Sequence, residues 1–357
     1  MHVLRNIDRD QYRMDFLIHA DKPGDYGEEL KDMGCSLYHC CSPSRPLRYM
    51  RELKAILIKY GPYDVVHSHC VNWNGPVMSA AKQVGTPIRI VHSHNDMSQA
   101  MPSNFFQRLF ALQSQKNSKV HATHGFACSE IAANSYFGPH WREDSRWKLL
   151  YYGVDFSIFG ATTKKDVLRE SFGLPKGAYV VGHVGSFRNS QKNHEFIIEI
   201  AREIQKKDPG IVFLFVGDGK FKSKIEVQAA QSGLKDNVFF TGVRTDVPQI
   251  MLGAMDLFLF PSLYEGLGLA LVEAQAAGLP CICSDTIPKE ADVISHLVQR
   301  ISLSQSPEEW AQAIFHTKIT NRIMKQSKAL SIIEKSPFNI KNNIKALKAI
   351  YTENKSA

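Results

Sequence analysis

The chain has 357 residues, of which 44% are hydrophobic and 22% charged, and its net charge is +8. That length allows two domains with separate cores, and the balance is that of a soluble globular protein rather than a disordered one. No stretch approaches the ~18 uninterrupted apolar residues of a membrane span, and the opening segment with Asp8, Asp10 and Asp15 lacks the apolar core of a secretory signal, so a cytoplasmic protein is expected.

Taken in order, short β-branched runs alternate with longer amphipathic ones. The segments "MDFLIH" (14–19), "DVVHSH" (64–69), "IRIVHSH" (88–94) and "GFACS" (125–129) read as strands. Between them, "RPLRYMRELKAILIKYG" (45–61) has helical spacing and stops at Gly61-Pro62, and "GPVMSAAKQVG" (75–85) is a second helix closed by glycine. The pattern pauses over residues 151–178, then restarts with strands "YVVGHVGSF" (179–187), "IVFLFVGDG" (211–219), "NVFFTG" (237–242), "DLFLFPS" (256–262) and "PCICSD" (280–285). Helices "HEFIIEIAREIQKK" (194–207), "KSKIEVQAAQSG" (222–233) and "LALVEAQAAG" (269–278) lie between them. Alternation of this kind predicts βαβ units on parallel sheets. The expected domains are 1–160 and 161–335, with a last helix over 336–357. In such sheets ligands bind beyond the carboxyl ends of the strands.

Seven cysteines, odd in number and without a Cys-x-x-Cys, read as free thiols rather than a disulfide framework or a zinc cluster. Residues 316–357 carry nine Lys/Arg (Lys318, Arg322, Lys325, Lys328, Lys335, Lys341, Lys345, Lys348, Lys355) against Glu334 and Glu353. Such an excess suits an anionic partner, and equally a solvated helix face.

Chemistry concentrates in "YEGLGLALVEAQAAGLP" (264–280), which keeps two acids, Glu265 and Glu273, in a mostly apolar stretch. It leaves a buried strand and becomes a helix, so Gly266, Leu267 and Gly268 fall at a helix start, where free N–H groups and the positive dipole end suit phosphate. Eight residues at helical rise span about 12 Å, the reach from a sugar across a diphosphate to a ribose. The same spacing fits an exposed capping Glu265 and a solvated Glu273. "GSFRNSQKNHEF" (185–196) places Arg188 and Lys192 after a strand end, where cations meet charge on a leaving phosphate or simply solvent. "VGDGKF" (216–221) has Lys222 where a dinucleotide fingerprint needs its third glycine, so no nicotinamide site is expected. The clusters "HSHC" (67–70), "HSHND" (92–96) and "HATH" (121–124) invite a metal, but Asp96 is the only nearby acid, and polar strand-end histidines are the simpler reading.

"PSLYEGLGLALVEAQAAGLPCICSD" resembles the E-x7-E signature of glycosyltransferase family 4, retaining enzymes of GT-B fold, and especially the bacterial exopolysaccharide and capsule branch. The likeness runs through "RNIDRDQYRMDFLIH", "YDVVHSH", "RIVHSHN", "GHVGSFRNSQKNHEF" and "DVPQIMLGAMDLFLFPSLYEG". It implies an α/β fold of two Rossmann-like domains facing a central cleft, with the last helix crossing back to the first domain. It further implies that Glu265 holds donor-sugar hydroxyls, Glu273 the ribose, and the amides of Gly266, Leu267 and Gly268 the diphosphate. His92 aligns with the histidine that touches the donor sugar, a contact completed by domain closure, while His67, His69 and His94 line the cleft without assigned roles. Lys192 and Arg188 meet the diphosphate; similar proteins carry Arg at the position of Ser186, and Arg188 is expected to substitute for it. Gly242, Val243 and Arg244, at the strand end "TGVR", are expected to meet the base through backbone groups.

The implied catalytic set is His92, Glu265 and Lys192, acting by a front-face retaining path without a metal or other cofactor. The implied co-substrate is a nucleoside-diphosphate sugar, a UDP-sugar by expectation, and the acceptor a glycan or lipid-linked hydroxyl. No nucleic-acid partner is expected; contact of the C-terminal lysines with an anionic membrane at its inner face is. Two departures stand out. Relatives begin with a strand and a Gly-Gly loop, so the first sheet is expected to lack its first strand. Tyr152 stands where an "NGVD" hinge has Asn. Those departures keep a non-catalytic sugar-nucleotide binder or a weakly active homologue open, and an epimerase needs cleft acids that the sequence does not place.

Overall fold

A computed structural model of the chain describes residues 1–19, 24, 26–43, 45–94, 96–97, 101–102, 104–160, 164–320 and 324–353. Arg322 and Lys355 of the basic tail therefore lie outside the described residues. Two compact units result: Met1–Val154 with Ile340–Ala357, and Asp155–Asn339.

The second unit is a six-stranded sheet, with β7 (Tyr179–Val184), β8 (Ile211–Val216), β9 (Val238–Phe240), β10 (Leu257–Phe260), β11 (Cys281–Ser284) and β12 (Val298–Ile301). Its order is β12-β11-β10-β7-β8-β9, every pair parallel. Numbered from β7, that is the doubly wound arrangement with its reversal between β7 and β10. β8, β10 and β11 are buried at every residue, as parallel strands covered on both faces must be. Phe213, Phe215, Leu257 and Leu259 pack against Ile197, Ile200 and Ile204 of the helix His194–Gln205 and Trp310 of the helix Pro307–Thr320. Each such side chain contributes roughly 1.5–3 kcal/mol by leaving water.

The first unit has a four-stranded parallel sheet, β3 (Val65–Ser68), β4 (Ile88–Ser93), β5 (His124–Ala127) and β6 (Trp147–Leu149). A separate parallel pair joins β1 (Phe16–Ile18) to β2 (Leu37–His39). Among the described residues no strand pairing joins this pair to the four-stranded sheet. The last helix, Ile340–Tyr351, belongs to this unit: Leu347 and Ile350 join a core with Ile88, Ile90, Phe126 and Leu150. Its Lys341 and Lys345 are exposed.

Most sequence-predicted elements form within two residues of their expected ends. β2, β6 and β12 carry no such signal, and each is the outermost strand of its sheet. They are short, mixed in polarity (LYH, WKL, VQRI) and only partly buried, so no apolar run marks them. All seven cysteines are free, Cys40, Cys128, Cys281 and Cys283 of them buried.

Candidate functional site

In the second unit the loops after β7 and β10 meet. The residues Gln191, Lys192 and Asn193 hold the turn 261–265 at three points. Gln191 Nε2 donates to the Tyr264 carbonyl at 3.1 Å, and the Leu263 N–H donates back to the Gln191 carbonyl at 2.8 Å. Asn193, in a left-handed conformation, donates from Nδ2 to the Pro261 carbonyl at 3.1 Å. Lys192 Nζ lies 2.6 Å from Glu265 Oε1, and the two side chains keep only 17% and 8% of their exposure. Sequence reasoning singled out both residues separately and missed Gln191 and Asn193, whose loop position, and for Asn193 a positive φ, leave no composition signal.

The helix after this turn runs Leu269–Ala276, with Gly268 as its N-cap at φ 89°. A side chain there would meet Ile287 and Phe260, so glycine lets the chain turn tightly into the helix. Glu265 thus precedes the helix, and the 12 Å span expected from continuous helical rise is corrected: only residues from 269 onward rise as a helix. Of the three expected residues only Gly268 sits at the helix start, as its N-cap, while Gly266 and Leu267 precede it in the turn; the first N–H groups of the helix lack intrahelical partners. Leu267 turns its side chain into the core. Glu273 lies one turn inside the helix and has no side-chain hydrogen bond among the described residues; burial pushes its carboxyl up to about 7.

Glycines lace the neighbouring strand ends together. The Gly185 N–H donates to the Val216 carbonyl at 3.0 Å, and the Gly217 N–H to the Gly242 carbonyl at 2.9 Å. Added Cβ atoms at Gly217 and Gly219 would collide with the backbone of Gly185 and Phe187. The "VGDG" run therefore brings backbone against backbone beside the Arg188 loop. Arg188 is exposed, and its guanidinium has no partner among the described residues. Val243 is exposed too, whereas Arg244 is held by Asp246 at 2.7 Å.

The first unit gathers four histidines at the ends of β3 and β4. His67 Nε2 and His92 Nδ1 are 3.2 Å apart, and His69 Nδ1 and His94 Nε2 are 2.7 Å apart. Tyr351 caps the first pair through His67 at 3.1 Å, and Tyr152 the second through His94 at 2.8 Å. The pairs stack, His67 on His69 and His92 on His94, with centroids 4.4 and 4.2 Å apart. The ring nitrogens of His67, His69 and His92 lie within 4.8 Å of one another, so a metal-competent grouping exists that spacing alone did not assemble. Burial lowers all four pKa values, His94 to about 3, so the rings are neutral at pH 7. His92 lies inside β4 and is 5% exposed, with Nε2 unpartnered; His94 stands one residue past the strand end.

Two Rossmann-like units of parallel α/β build define the class of GT-B architecture. The family model described as "Glycosyl transferases group 1" matches residues 164–327, and that described as "Glycosyl transferase 4-like domain" matches residues 1–143. EpsF of Bacillus subtilis (strain 168), which carries a glycosyltransferase name, is 32% identical over 354 residues, 98% of this chain and 91% of EpsF. The capsular polysaccharide biosynthesis glycosyltransferase CapH of Staphylococcus aureus is 24% identical over 339 residues, 93% of this chain and 88% of CapH. Among solved structures, Anabaena HepE in complex with UDP and glucose superimposes with a TM-score of 0.77 at 18% identity, covering 95% of this chain and 99% of HepE. The chain belongs to glycosyltransferase family 4.

Proposed function

We propose that this glycosyltransferase moves a sugar from a UDP-sugar to a hydroxyl of a growing surface polysaccharide, free or lipid-linked, with retention and without a metal. The polysaccharide context is supported by the likeness to CapH and the donor by the likeness to HepE. The observation that carries the reading is the joined turn and helix start of the second unit: Glu265 beside Lys192, the Gly266–Gly268 amides, and an unpartnered Glu273.

In this reading Glu265 accepts hydrogen bonds from donor-sugar hydroxyls, and the ionised Glu273 accepts them from the ribose. The amides at 266–268, Lys192 and Arg188 stabilise the diphosphate as its bond to the anomeric carbon breaks. The acceptor oxygen bonds to that carbon on the same face, and its proton passes to the departing phosphate oxygen. Gly242 and Val243 meet the base through backbone groups. In the first unit the four imidazoles are neutral and suited to uncharged hydrogen bonds with a hydroxyl. His69 is exposed, whereas His94 is half-buried with both ring nitrogens engaged, by His69 and Tyr152, and stacks on His92. Absence of a membrane-crossing helix among the described residues fits a protein that meets a lipid-linked acceptor from the surface.

The test is transfer with a panel of nucleotide-sugars, in excess EDTA, with the anomeric configuration of the product read by NMR. Retained configuration and EDTA-resistant turnover with a UDP-sugar are expected. An inverted product, or turnover abolished by EDTA, overturns the mechanism. Failure of every donor to be turned over while one still binds favours a non-catalytic binder.

A further inference from the structure

Past the carboxyl end of β2 the chain carries two adjacent thiols, Cys40 and Cys41, and the helix Pro46–Tyr60 turns its only acid, Glu52, toward them. Glu52 Oε2 accepts the Cys41 N–H at 2.9 Å. Arg48, one turn earlier on the same helix, donates from Nε to Glu52 Oε1 at 2.6 Å. Cys40 is buried with its Sγ 3.8 Å from the Tyr49 carbonyl, while Cys41 and Glu52 are half-buried. The two sulfurs and a carboxylate oxygen all lie within 4.8 Å of one another. Spacing along the chain shows no ligand motif here, because the acid returns 11 positions later on a separate element.

A disulfide does not suit this pair: adjacent Cα atoms stand about 3.8 Å apart, short of the roughly 4.4–6.8 Å that a disulfide spans. A cation suits it. Two sulfurs and one carboxylate oxygen are ligands of zinc and of cadmium, whereas magnesium and calcium take oxygen alone. Bonds of about 2.3 Å to sulfur and 2.0 Å to oxygen set the ligands of a tetrahedral zinc roughly 3.5–3.8 Å apart. From 4.8 Å the group therefore closes by little more than about 1 Å. Two thiolates and a carboxylate exceed the charge of a divalent ion by one, and the Arg48 guanidinium offsets it. The bonds from Arg48 and the Cys41 N–H also hold the carboxylate in one orientation, as the outer partners of metal ligands do. Three protein ligands leave a fourth position for water, the arrangement of an ion that exchanges.

We propose that Cys40, Cys41 and Glu52 form a binding site for a thiophilic divalent cation of the zinc and cadmium class, which ties the end of β2 to the helix Pro46–Tyr60. On binding, the two thiols each release a proton to solvent, and the Glu52 carboxylate ligates as it stands. The ion stands apart from sugar transfer, since none of the three residues belongs to the donor set, and turnover in EDTA does not depend on it. The histidine grouping of β3 and β4 is the competing location. There the ring nitrogens that face one another are hydrogen-bonded in pairs, so an ion displaces those bonds, whereas a thiol proton gives up only a weak one.

Titration of the reduced, metal-free full chain with cadmium chloride, followed by the ultraviolet thiolate-to-cadmium absorption, reads the bound sulfurs directly. The band saturates at one ion per chain with about two protons released per ion, and zinc chloride displaces the cadmium. The thermal midpoint rises with ion concentration, because the folded chain alone presents the three ligands together. Cys41→Ser lowers cadmium affinity on the order of a hundredfold, and Glu52→Gln, which keeps both thiols, roughly tenfold or more. Cys35→Ser, at a half-buried thiol outside the group, and His67→Gln leave it unchanged. Circular dichroism of the metal-free variants establishes that they are folded, and Glu52→Gln carries the test by itself where Cys41→Ser is not. Any of four results overturns the proposal. They are no wild-type binding, absorption that climbs without saturating at one ion per chain (an adventitious ion only), affinity unchanged in Glu52→Gln, and binding lost in His67→Gln instead.

Discussion

Lys192 Nζ and Glu265 Oε1 form a 2.6 Å ion pair inside the loops after β7 and β10, nearly closed off from water. Removing one partner strands the other charge in a place where little solvent can replace it. Glu265→Gln and Lys192→Met are each expected to lose about 3 kcal/mol of stability as well as donor turnover. The double variant recovers much of the stability and none of the turnover. Chemical denaturation with donor hydrolysis on all four proteins checks this. Purely additive stability losses would show that the pair is not coupled.

Glu273 ties the site to pH. Its usual value is 4.5 and burial pushes it to about 7, so the folded chain holds a proton that the unfolded chain releases. Stability from this group is complete below pH 4.5 and is lost as pH rises through 7, amounting to about 3 kcal/mol at most. Glu273→Gln is expected to flatten that slope, and in the wild type donor affinity rises above pH 7 as the carboxylate forms. Thermal midpoints between pH 5 and 8 decide it; parallel curves for the two proteins would remove the claim.

The histidine cluster works in the opposite direction. Its imidazoles stay neutral in the fold, while an unfolded chain takes up protons below pH 6.5, so stability falls as pH drops from 6.5 toward 4. His67→Gln is expected to shallow the acid limb of a urea-midpoint profile, and Tyr351→Phe, which removes only the cap on His67, to leave it steep. A wild-type slope persisting in His67→Gln refutes the assignment. Over pH 4.5 to 6.5 the Glu273 and histidine contributions oppose each other, so each variant exposes the other's slope.

Gly219 and Gly233 separate close approach from backbone strain. Both have positive φ, 152° and 75°, but a Cβ at Gly219 would sit 2.5 Å from the Phe187 carbonyl carbon, while Gly233 faces open space. Gly233→Ala is expected to cost about 1 kcal/mol. Gly219→Ala displaces the Arg188 loop and costs several-fold more, with a matching loss of donor affinity. Equal melting points for the two variants would contradict the close packing.

What the sequence determined is the part encoded by neighbours along the chain. Runs such as "IVFLFV" read as strands because they are short, rich in β-branched and aromatic residues and bounded by glycine, the pattern of a strand covered on both faces. The turn into Leu269–Ala276, with its glycine and its two acids, is legible for the same reason: caps and breakers act within a few residues. The tertiary structure alone decided the rest. It paired Lys192 with Glu265, 73 positions apart, brought Gln191 and Asn193 to the same turn, and withdrew His92 behind His94. It also turned the small face of Phe105–His121 inward and the large one out, against what hydrophobic spacing implies. These outcomes depend on which strand ends lie side by side and how closely two backbones approach, and such distances are set only when separated stretches of chain compete for the same space.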